Sequence, residues 1–366
     1  HLNFAFSKPF EPTKEYLEKI EKENEKHAKQ SFGNYTPTLG KIELGDDFWS
    51  DLVSAERPVI VVGPTRTNEE IATITVLAKT LQAPILTEPG SQIPSSKYTI
   101  AGFDGFLKNS ALEVDLTPDL ILRFGMEPVS RALNDYMESN TACLQIRFLN
   151  SNRLEDQTLS SDKTVILKQS LFIPEVSGSS TKEWLSIWRK QQKTYLSIKK
   201  ENVHPSTPLT DGYIFHTLSD FIPKKSFIMA SNSFSIRDIS LFSDFDGREI
   251  YTNRGAAGID GITSTALGLS LSTKKKGTLF IGDIAFLHDT NALLNAEQIK
   301  ETLIIVVLNN GGGTIFRMLP INTYKKAYSN YFETPQNVSI AALCRAYKID
   351  HSLISRPEQL LSLYES

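Results

Sequence analysis

The sequence predicts an α/β chain of two consecutive domains, each a mostly parallel sheet flanked by helices. Three observations carry that expectation. The length of 366 residues, set against the ~150 of a typical domain, gives two units. Short β-branched runs alternate with stretches of helical period, the pattern of a sheet covered on both faces. A break around Asn202-Val203-His204-Pro205-Ser206-Thr207-Pro208, with two prolines in four residues, divides the alternating series.

Composition narrows the class. A 40% hydrophobic share, 22% charged residues and unremarkable glycine and proline counts are those of an ordinary globular chain, which excludes disordered and collagenous readings. Thirty-nine basic residues against 42 acidic ones leave a formal charge of -3, with no large cationic surface for nucleic acid or anionic lipid. A small molecule is the default ligand. Cys143 and Cys344 form no CxxC pattern or Cys/His cluster, so neither a disulfide framework nor zinc is expected. No apolar run approaches the ~20 residues that cross a bilayer, and residues 1–12 lack a signal-peptide pattern. The expected compartment is the cytoplasm.

Residues 1–30 are expected to be the end of another domain and a linker, since 14–30 are charge-dense with sparse apolar positions. Residues 31–200 form a central domain. Its first unit is Pro58-Val59-Ile60-Val61-Val62-Gly63-Pro64, a strand closed by Gly-Pro, followed by a helix from Asn68 to Leu81. Strands around Ile85, Leu120 to Gly125, Cys143 to Phe148 and Val165 to Leu167 continue the series, with a helix from Arg131 to Ser139. This domain has no complete nucleotide fingerprint. Residues 201–366 form the second domain: strands at Phe227 to Ala230, Ile250-Tyr251, Thr278 to Ile281 and Leu303 to Leu308, with helices from Gly261 to Leu271, from Asp289 to about Gln298, and over 356–366. The runs 278–281 and 303–308 are apolar on both faces, as central parallel strands should be.

Gly282-Asp283 closes one of these strands and Asn309-Asn310-Gly311-Gly312-Gly313 the other. Both clusters therefore stand at carboxyl ends of sheet strands, where open α/β sheets bind ligands. The 27 steps from Asp283 to Asn310 accommodate a loop, a crossover and a strand, which makes the two tips neighbours. One carboxylate, one carboxamide and a glycine-rich turn offer hard oxygen ligands suited to Mg²⁺ or Ca²⁺. Magnesium commonly completes its shell with phosphate oxygens, so a phosphorylated ligand is implied as well. A strand-end Asp and an Asn-Gly turn also occur for purely structural reasons, and the flanking segments decide.

Those segments are Ser231-Asn232-Ser233-Phe234-Ser235-Ile236-Arg237-Asp238, Tyr251-Thr252-Asn253-Arg254-Gly255-Ala256-Ala257-Gly258-Ile259-Asp260-Gly261, Ile281-Gly282-Asp283 with His288-Asp289-Thr290-Asn291, and Asn310-Gly311-Gly312-Gly313-Thr314-Ile315-Phe316. Together they resemble the thiamine-diphosphate enzymes, and within them the 2-succinyl-5-enolpyruvyl-6-hydroxy-3-cyclohexene-1-carboxylate synthases of menaquinone biosynthesis. The resemblance is densest over 227–320, weaker over 58–138, and includes residues 1–12. It implies a central domain followed by a pyrophosphate-binding domain. It implies that Asp283, Asn310 and the Gly312 carbonyl hold Mg²⁺ or Mn²⁺, and that Ser233 and Gly282 meet the diphosphate. Ile259 would be the apolar wedge that bends the cofactor. Arg131, Arg237 and Arg254 would bind substrate carboxylates, with Ile315 and Phe316 as apolar wall. Ala285, Gly311 and Thr314 depart from residues common in relatives, and His288 is left outside the catalytic set.

The implied activity is that of a transferase forming a carbon-carbon bond: decarboxylation of 2-oxoglutarate and addition of the remaining unit to isochorismate. A homodimer or homotetramer is implied when full length. A glutamate required by the reaction belongs to the family's first domain, and no glutamate of this chain takes that role. The strand-like alternation at residues 1–6, a first residue other than Met and an end without a closing strand lead to the expectation of a fragment, inactive by itself. Two alternatives remain: an acetolactate-synthase-like or decarboxylase-like relative acting on pyruvate, and a noncatalytic nucleotide-binding or assembly module.

Overall fold

A computed structural model of the chain describes residues 44–364 apart from 65–66, 150–155, 157, 167–170, 172, 175–177, 181, 206–208 and 245–247; of the first 43 residues it describes only 14, 15, 18, 19 and 22. The readings of residues 1–12 and of most of 14–30 lie outside the described residues.

The first sheet is parallel throughout and has the order β3-β2-β1-β4-β5-β6. Its strands are β1 (Pro58–Val62), β2 (Ile85–Thr87), β3 (Thr99–Ile100), β4 (Leu120–Phe124), β5 (Leu144–Leu149) and β6 (Lys163–Ile166). Alternation along β1 explains why both faces are covered. Ile60 and Val62 enter one core with Leu52, Ile74 and Leu77 from helices α1 (Asp46–Ser54) and α2 (Asn68–Leu81). Val59 and Val61 enter the other with Leu133 and Met137 from α3 (Arg131–Ser139) and Trp184 and Trp188 from α4 (Lys182–Asn202). Every residue of β1 is buried, and each such aliphatic side chain contributes about 1.5–3 kcal/mol relative to exposure. Thr67 caps α2 by accepting from the Glu70 N–H at 3.1 Å, and Gln82 ends the helix in the left-handed region.

The second sheet is also parallel, with the order β10-β9-β7-β8. Its strands are β7 (Phe227–Ala230), β8 (Glu249–Thr252), β9 (Gly277–Gly282) and β10 (Leu303–Leu308). Helices α5 (Asp211–Phe221) and α6 (Phe234–Phe242) cover one face, packing Phe215, Leu218 and Ile239 on Ile228 and Phe280. Helices α7 (Ile262–Thr273) and α8 (Asp283–His288) cover the other, packing Ile262, Ala266 and Phe286 on Met229, Leu279 and Ile281. Short helices α9 (Lys325–Tyr328), α10 (Ile340–Ala346) and α11 (Pro357–Tyr364) follow β10.

Two expectations are corrected. The apolar run 303–308 is not a central strand: among the described residues β10 lies at the sheet edge, and Leu303 to Val307 are only half-buried. Apolar character on both faces is also compatible with an edge strand lying under covering segments, and composition alone does not give strand order. The helix expected from Asp289 is a succession of 3-10 turns over Thr290–Gln298. Asp289 is engaged elsewhere, accepting from the Ser264 N–H at 2.7 Å and hydroxyl at 3.0 Å, and so is held away from capping the segment that follows.

Hydrogen bonds among the described residues join the two sheets' layers. Gln92 Nε2 donates to the Ile250 carbonyl at 2.7 Å, Ser240 Oγ to Asp104 Oδ2 at 3.2 Å, and Lys199 Nζ to the Phe242 carbonyl at 3.5 Å. The Tyr195 hydroxyl donates to the Leu241 carbonyl. The Tyr195 ring lies so close to Gly102 and Gly105 that a Cβ at Gly105 would meet ring carbons at 2.0 and 2.1 Å. Among the described residues no helix is long and apolar enough to cross a membrane.

Gly105→Ala should therefore displace Tyr195 and destabilise the chain by about 1–3 kcal/mol. Thermal unfolding checks this: the loss should shrink when Tyr195→Ala is added, whereas additive losses contradict the contact.

Candidate active site

The register of β9 and β10 places the two glycine-bearing strand tips side by side. Leu308 pairs with Gly282, so Asp283 and the Asn309-Asn310 pair leave adjacent strands at the same level. The spacing argument predicts this proximity. Asp283 opens α8 and is buried, yet among the described residues no hydrogen bond or ion pair engages its carboxylate. The residue is buried as a whole, yet neither of its carboxylate oxygens is sealed off from solvent, so a divalent ion at this position could reach them. Gly312 adopts a φ of +127°, and a Cβ there would meet the Glu333 carbonyl oxygen at 2.2 Å, so only glycine fits. Its carbonyl accepts from the Thr314 N–H at 2.8 Å across an inverse γ-turn at Gly313, which leaves one lone pair for another partner. No three His, Cys, Asp or Glu side chains among the described residues are grouped to hold a metal. A metal here would rest on one carboxylate with neutral oxygens, the hard-ligand set that suits magnesium.

Beside these tips, β7 ends at Ala230 and the chain turns through Ser231-Asn232-Ser233 into α6. Ser233 holds φ 73° and ψ -130°, which costs a non-glycine residue about 1–3 kcal/mol. It occupies the N-cap position, but its hydroxyl caps nothing, and its carbonyl accepts from Arg237 Nη1 at 2.5 Å. A strained serine with an unengaged hydroxyl at a helix N-terminus fits a phosphate-bearing ligand.

Arg254 lies in the loop after β8. Its Nη1 donates to Asn232 Oδ1 at 2.6 Å, while its Nε is buried without a partner. Leaving a charged donor in that condition costs about 1–3 kcal/mol or more, and an incoming carboxylate would relieve it. Burial and the charge of Arg237 pull the Arg254 guanidinium below the usual arginine range, while Glu88 opposes them. Arg237 and Arg254 thus share one electrostatic neighbourhood. Ile259 packs half-buried against the core formed by Met229, Ile262 and Ile281.

Three expected positions stand differently. Arg131 is 70% exposed and turned along its own helix, pairing with Asp135 at 2.7 Å and Glu138 at 3.7 Å; it makes surface ion pairs and has no contact with the half-buried Arg237 and Arg254 among the described residues. Phe316 sits in the 3-10 turn Thr314–Met318 and meets Phe332 edge-on at 5.6 Å. Ile315, in the same turn, is half-buried.

The central domain adds two carboxylates that sequence reasoning missed. Glu88, at the carboxyl end of β2, accepts from the Val129 and Ser130 N–H groups at 2.8 and 2.6 Å. Burial pushes it up to about 7 despite these donors, with Asp104 adding to the rise and Arg254 opposing it. Asp104 accepts from the hydroxyls of Ser130 and Ser240, and burial raises it too. The position of Glu88 immediately after a strand, the rule applied to Asp283, is the signal that could have found it. Asp104 sits in a 3-10 turn between glycines and gives no such signal.

Ser233→Gly should relieve backbone strain and raise the melting temperature by a few degrees, about 1 kcal/mol, while weakening binding of a diphosphate ligand. A lower melting temperature contradicts the strain assignment. Glu88 is held above its unfolded range, so the folded chain binds more protons between pH 4.5 and about 7. Its contribution to stability is present at low pH and lost as pH rises through that window. Melting curves of the wild type and Glu88→Gln should therefore converge or cross as pH rises from about 5 to 8; parallel profiles contradict the assignment.

Comparison with known proteins fits this geometry. Residues 14–228 match the family described as middle domain of thiamine pyrophosphate, and residues 240–365 match thiamine pyrophosphate enzyme, C-terminal TPP binding domain. The chain is 31% identical over 340 residues to the 2-succinyl-5-enolpyruvyl-6-hydroxy-3-cyclohexene-1-carboxylate synthase of Bacillus pumilus, covering 89% of this chain and 59% of the relative. It is 33% identical to the enzyme of the same name from Geobacillus kaustophilus, covering 83% and 54%, and 30% identical to that of Microcystis aeruginosa, covering 97% and 63%. The chain spans less than two thirds of the length of these relatives. With its paired parallel sheets and converging strand tips, it belongs to the thiamine pyrophosphate enzymes, of which it carries the middle and cofactor-binding domains.

Proposed function

We propose that the chain is the central and cofactor-binding portion of a thiamine-diphosphate- and Mg²⁺-dependent (or Mn²⁺-dependent) synthase that decarboxylates 2-oxoglutarate and adds the remaining unit to isochorismate, a cytoplasmic step of menaquinone biosynthesis. The observation that carries the reading is the pairing of Leu308 with Gly282, which puts Asp283 beside the Asn310 turn. The names of the relatives support the choice of substrates.

Asp283, Asn310 and the Gly312 carbonyl would hold the metal, and Ser233 and Gly282 would meet the diphosphate. The bound cofactor supplies the electron sink for decarboxylation and carbon-carbon bond formation. The protein's residues orient and select. Ile259, branched at Cβ and therefore stiff, would support the cofactor from the core side. Arg254 offers its unpartnered Nε–H to a substrate carboxylate, and Arg237 contributes a second guanidinium from α6. Both proposed substrates carry two carboxylates, which guanidinium binds bidentately. Arg131 would reach a carboxylate by giving up its pairs with Asp135 and Glu138. Ile315 and Phe316 shield the reacting carbons from water. In this reading residues 31–200 and 201–366 are the two domains, and a glutamate from another domain of a homodimer or homotetramer completes the site. The 366-residue chain alone is then inactive.

Calorimetric titration of the intact protein tests the cofactor assignment. Thiamine diphosphate should bind with a heat that requires Mg²⁺, and Asp283→Ala should remove that dependence; absence of any metal-dependent heat points to a noncatalytic module. In steady-state assays Arg254→Ala and Arg237→Ala should each raise KM for 2-oxoglutarate by roughly 10–100-fold. Unchanged KM, with turnover of pyruvate, would assign the chain to the pyruvate-using relatives.

A further inference from the structure

Asn232 stands between the end of β7 and the strained Ser233, is 5% exposed, and has no part in the reading above. Its carboxamide is fully engaged with one loop. Nδ2 donates to the Asn253 carbonyl at 2.9 Å and to the Gly258 carbonyl at 2.6 Å, and Oδ1 accepts from Arg254 Nη1 at 2.6 Å. Both ends of the 253–258 segment are thus fastened to a single side chain on the neighbouring strand's turn. Between those ends, Gly255, Ala256 and Ala257 are exposed, and Ala257 holds a φ of 52°. Among the described residues, no side-chain hydrogen bond anchors Gly255, Ala256 or Ala257. Asn253 is itself held by its Nδ2 bond to Thr265 Oγ1 at 2.9 Å, which ties the loop to the start of α7.

The chemistry needed here is narrow. Two N–H donors must point at two carbonyls while an oxygen faces a guanidinium. Aspartate supplies the oxygen but no donors, glutamine is one methylene longer, and alanine supplies neither. The donor to Asn232 is Nη1, so the guanidinium edge carrying the buried, unpartnered Nε–H is the edge left for a ligand.

We propose that Asn232 is a positioning residue that fixes the free edge of Arg254 and, through Gly258, the seat of Ile259. It acts through these two residues and touches neither substrate nor cofactor. The inference rests on Arg254 as a carboxylate-binding group and Ile259 as the residue that supports the cofactor.

The test uses the intact protein, with Asn232→Ala, Asn232→Asp, Arg254→Ala and the Asn232→Ala/Arg254→Ala double variant. Three quantities are read: KM and kcat for 2-oxoglutarate, the dissociation constant of thiamine diphosphate by calorimetry at saturating Mg²⁺, and the melting temperature without ligands. Asn232→Ala should raise KM about tenfold, the scale of one hydrogen bond to a charged group, and weaken thiamine diphosphate at least about fivefold. Asn232→Asp keeps the acceptor for Arg254, so its KM should stay within about threefold of wild type while its cofactor affinity falls as in Asn232→Ala. The double variant should have the KM of Arg254→Ala alone, because both changes act through one guanidinium. Multiplying KM effects in the double variant, or wild-type KM and cofactor affinity in Asn232→Ala, overturn the inference while leaving the substrate reading in place. If Arg254→Ala itself leaves KM unchanged, the carboxylate reading falls, and Asn232 is judged on the cofactor constant: unchanged affinity in Asn232→Asp overturns it, and weakened affinity upholds its hold on the Ile259 loop. Should Asn232→Ala fail to fold, the Asn232→Asp comparison decides in the same terms.

Discussion

The parallel pairing of β9 with β10 is the constraint on which the candidate site depends. Six consecutive residue pairs, from Gly277 with Leu303 to Gly282 with Leu308, fix the level at which both strands end. A slip of one residue would turn the apolar faces of the strand over and carry the Asn310 turn away from Asp283. Burial enforces the register, since Leu279 and Ile281 pack into one core and Phe280 into the other. The chemistry at the tips is thus held by packing several residues away from it. Asp283 and the Asn310 turn cannot drift apart while the sheet beneath them is intact.

A second set of interactions brings the arginines to this place. Arg237 rides on α6, one turn from the Ser240 that reaches Asp104 across the domain seam, and Arg254 is fastened to Asn232. The middle domain opposes this positive pair with the buried Glu88 and the half-buried Asp104, carboxylates held by helix and loop donors. Neither carboxylate makes a direct ion pair with either arginine among the described contacts. That arrangement leaves Arg254 Nε without a protein partner while the charge of the arginines is partly balanced. The seam therefore joins electrostatics in one domain to recognition in the other.

Much of this was legible in the sequence, for identifiable reasons. Strand β1 and helices α2 and α3 occur where periodicity put them, because β-branched runs and capped amphipathic stretches carry local signals that packing did not override. Asp283 and the Asn310 turn could be placed side by side because a parallel crossover constrains geometry over a known number of residues. What was hidden depends on contacts between segments far apart in the chain. Strand order cannot be read from apolar content, so β10 looked central when it is an edge. The 3-10 run at 290–298 reflects the hold of Ser264 on Asp289. Arg131 pairs with Asp135 one turn on and with Glu138 two turns on along its own helix, contacts that depend on the side-chain conformation. Asn232 and Asp104 matter only through partners 21 to 136 positions away, which no window of sequence reveals.

Anomalous diffraction from crystals of the intact protein grown with Mn²⁺ and thiamine diphosphate measures the central claim directly. The account predicts one strong peak at about 2.1–2.2 Å from a carboxylate oxygen of Asp283, the side-chain oxygen of Asn310 and the Gly312 carbonyl together. A peak held by other residues, or none near these two strand tips in crystals that contain the cofactor, would contradict it.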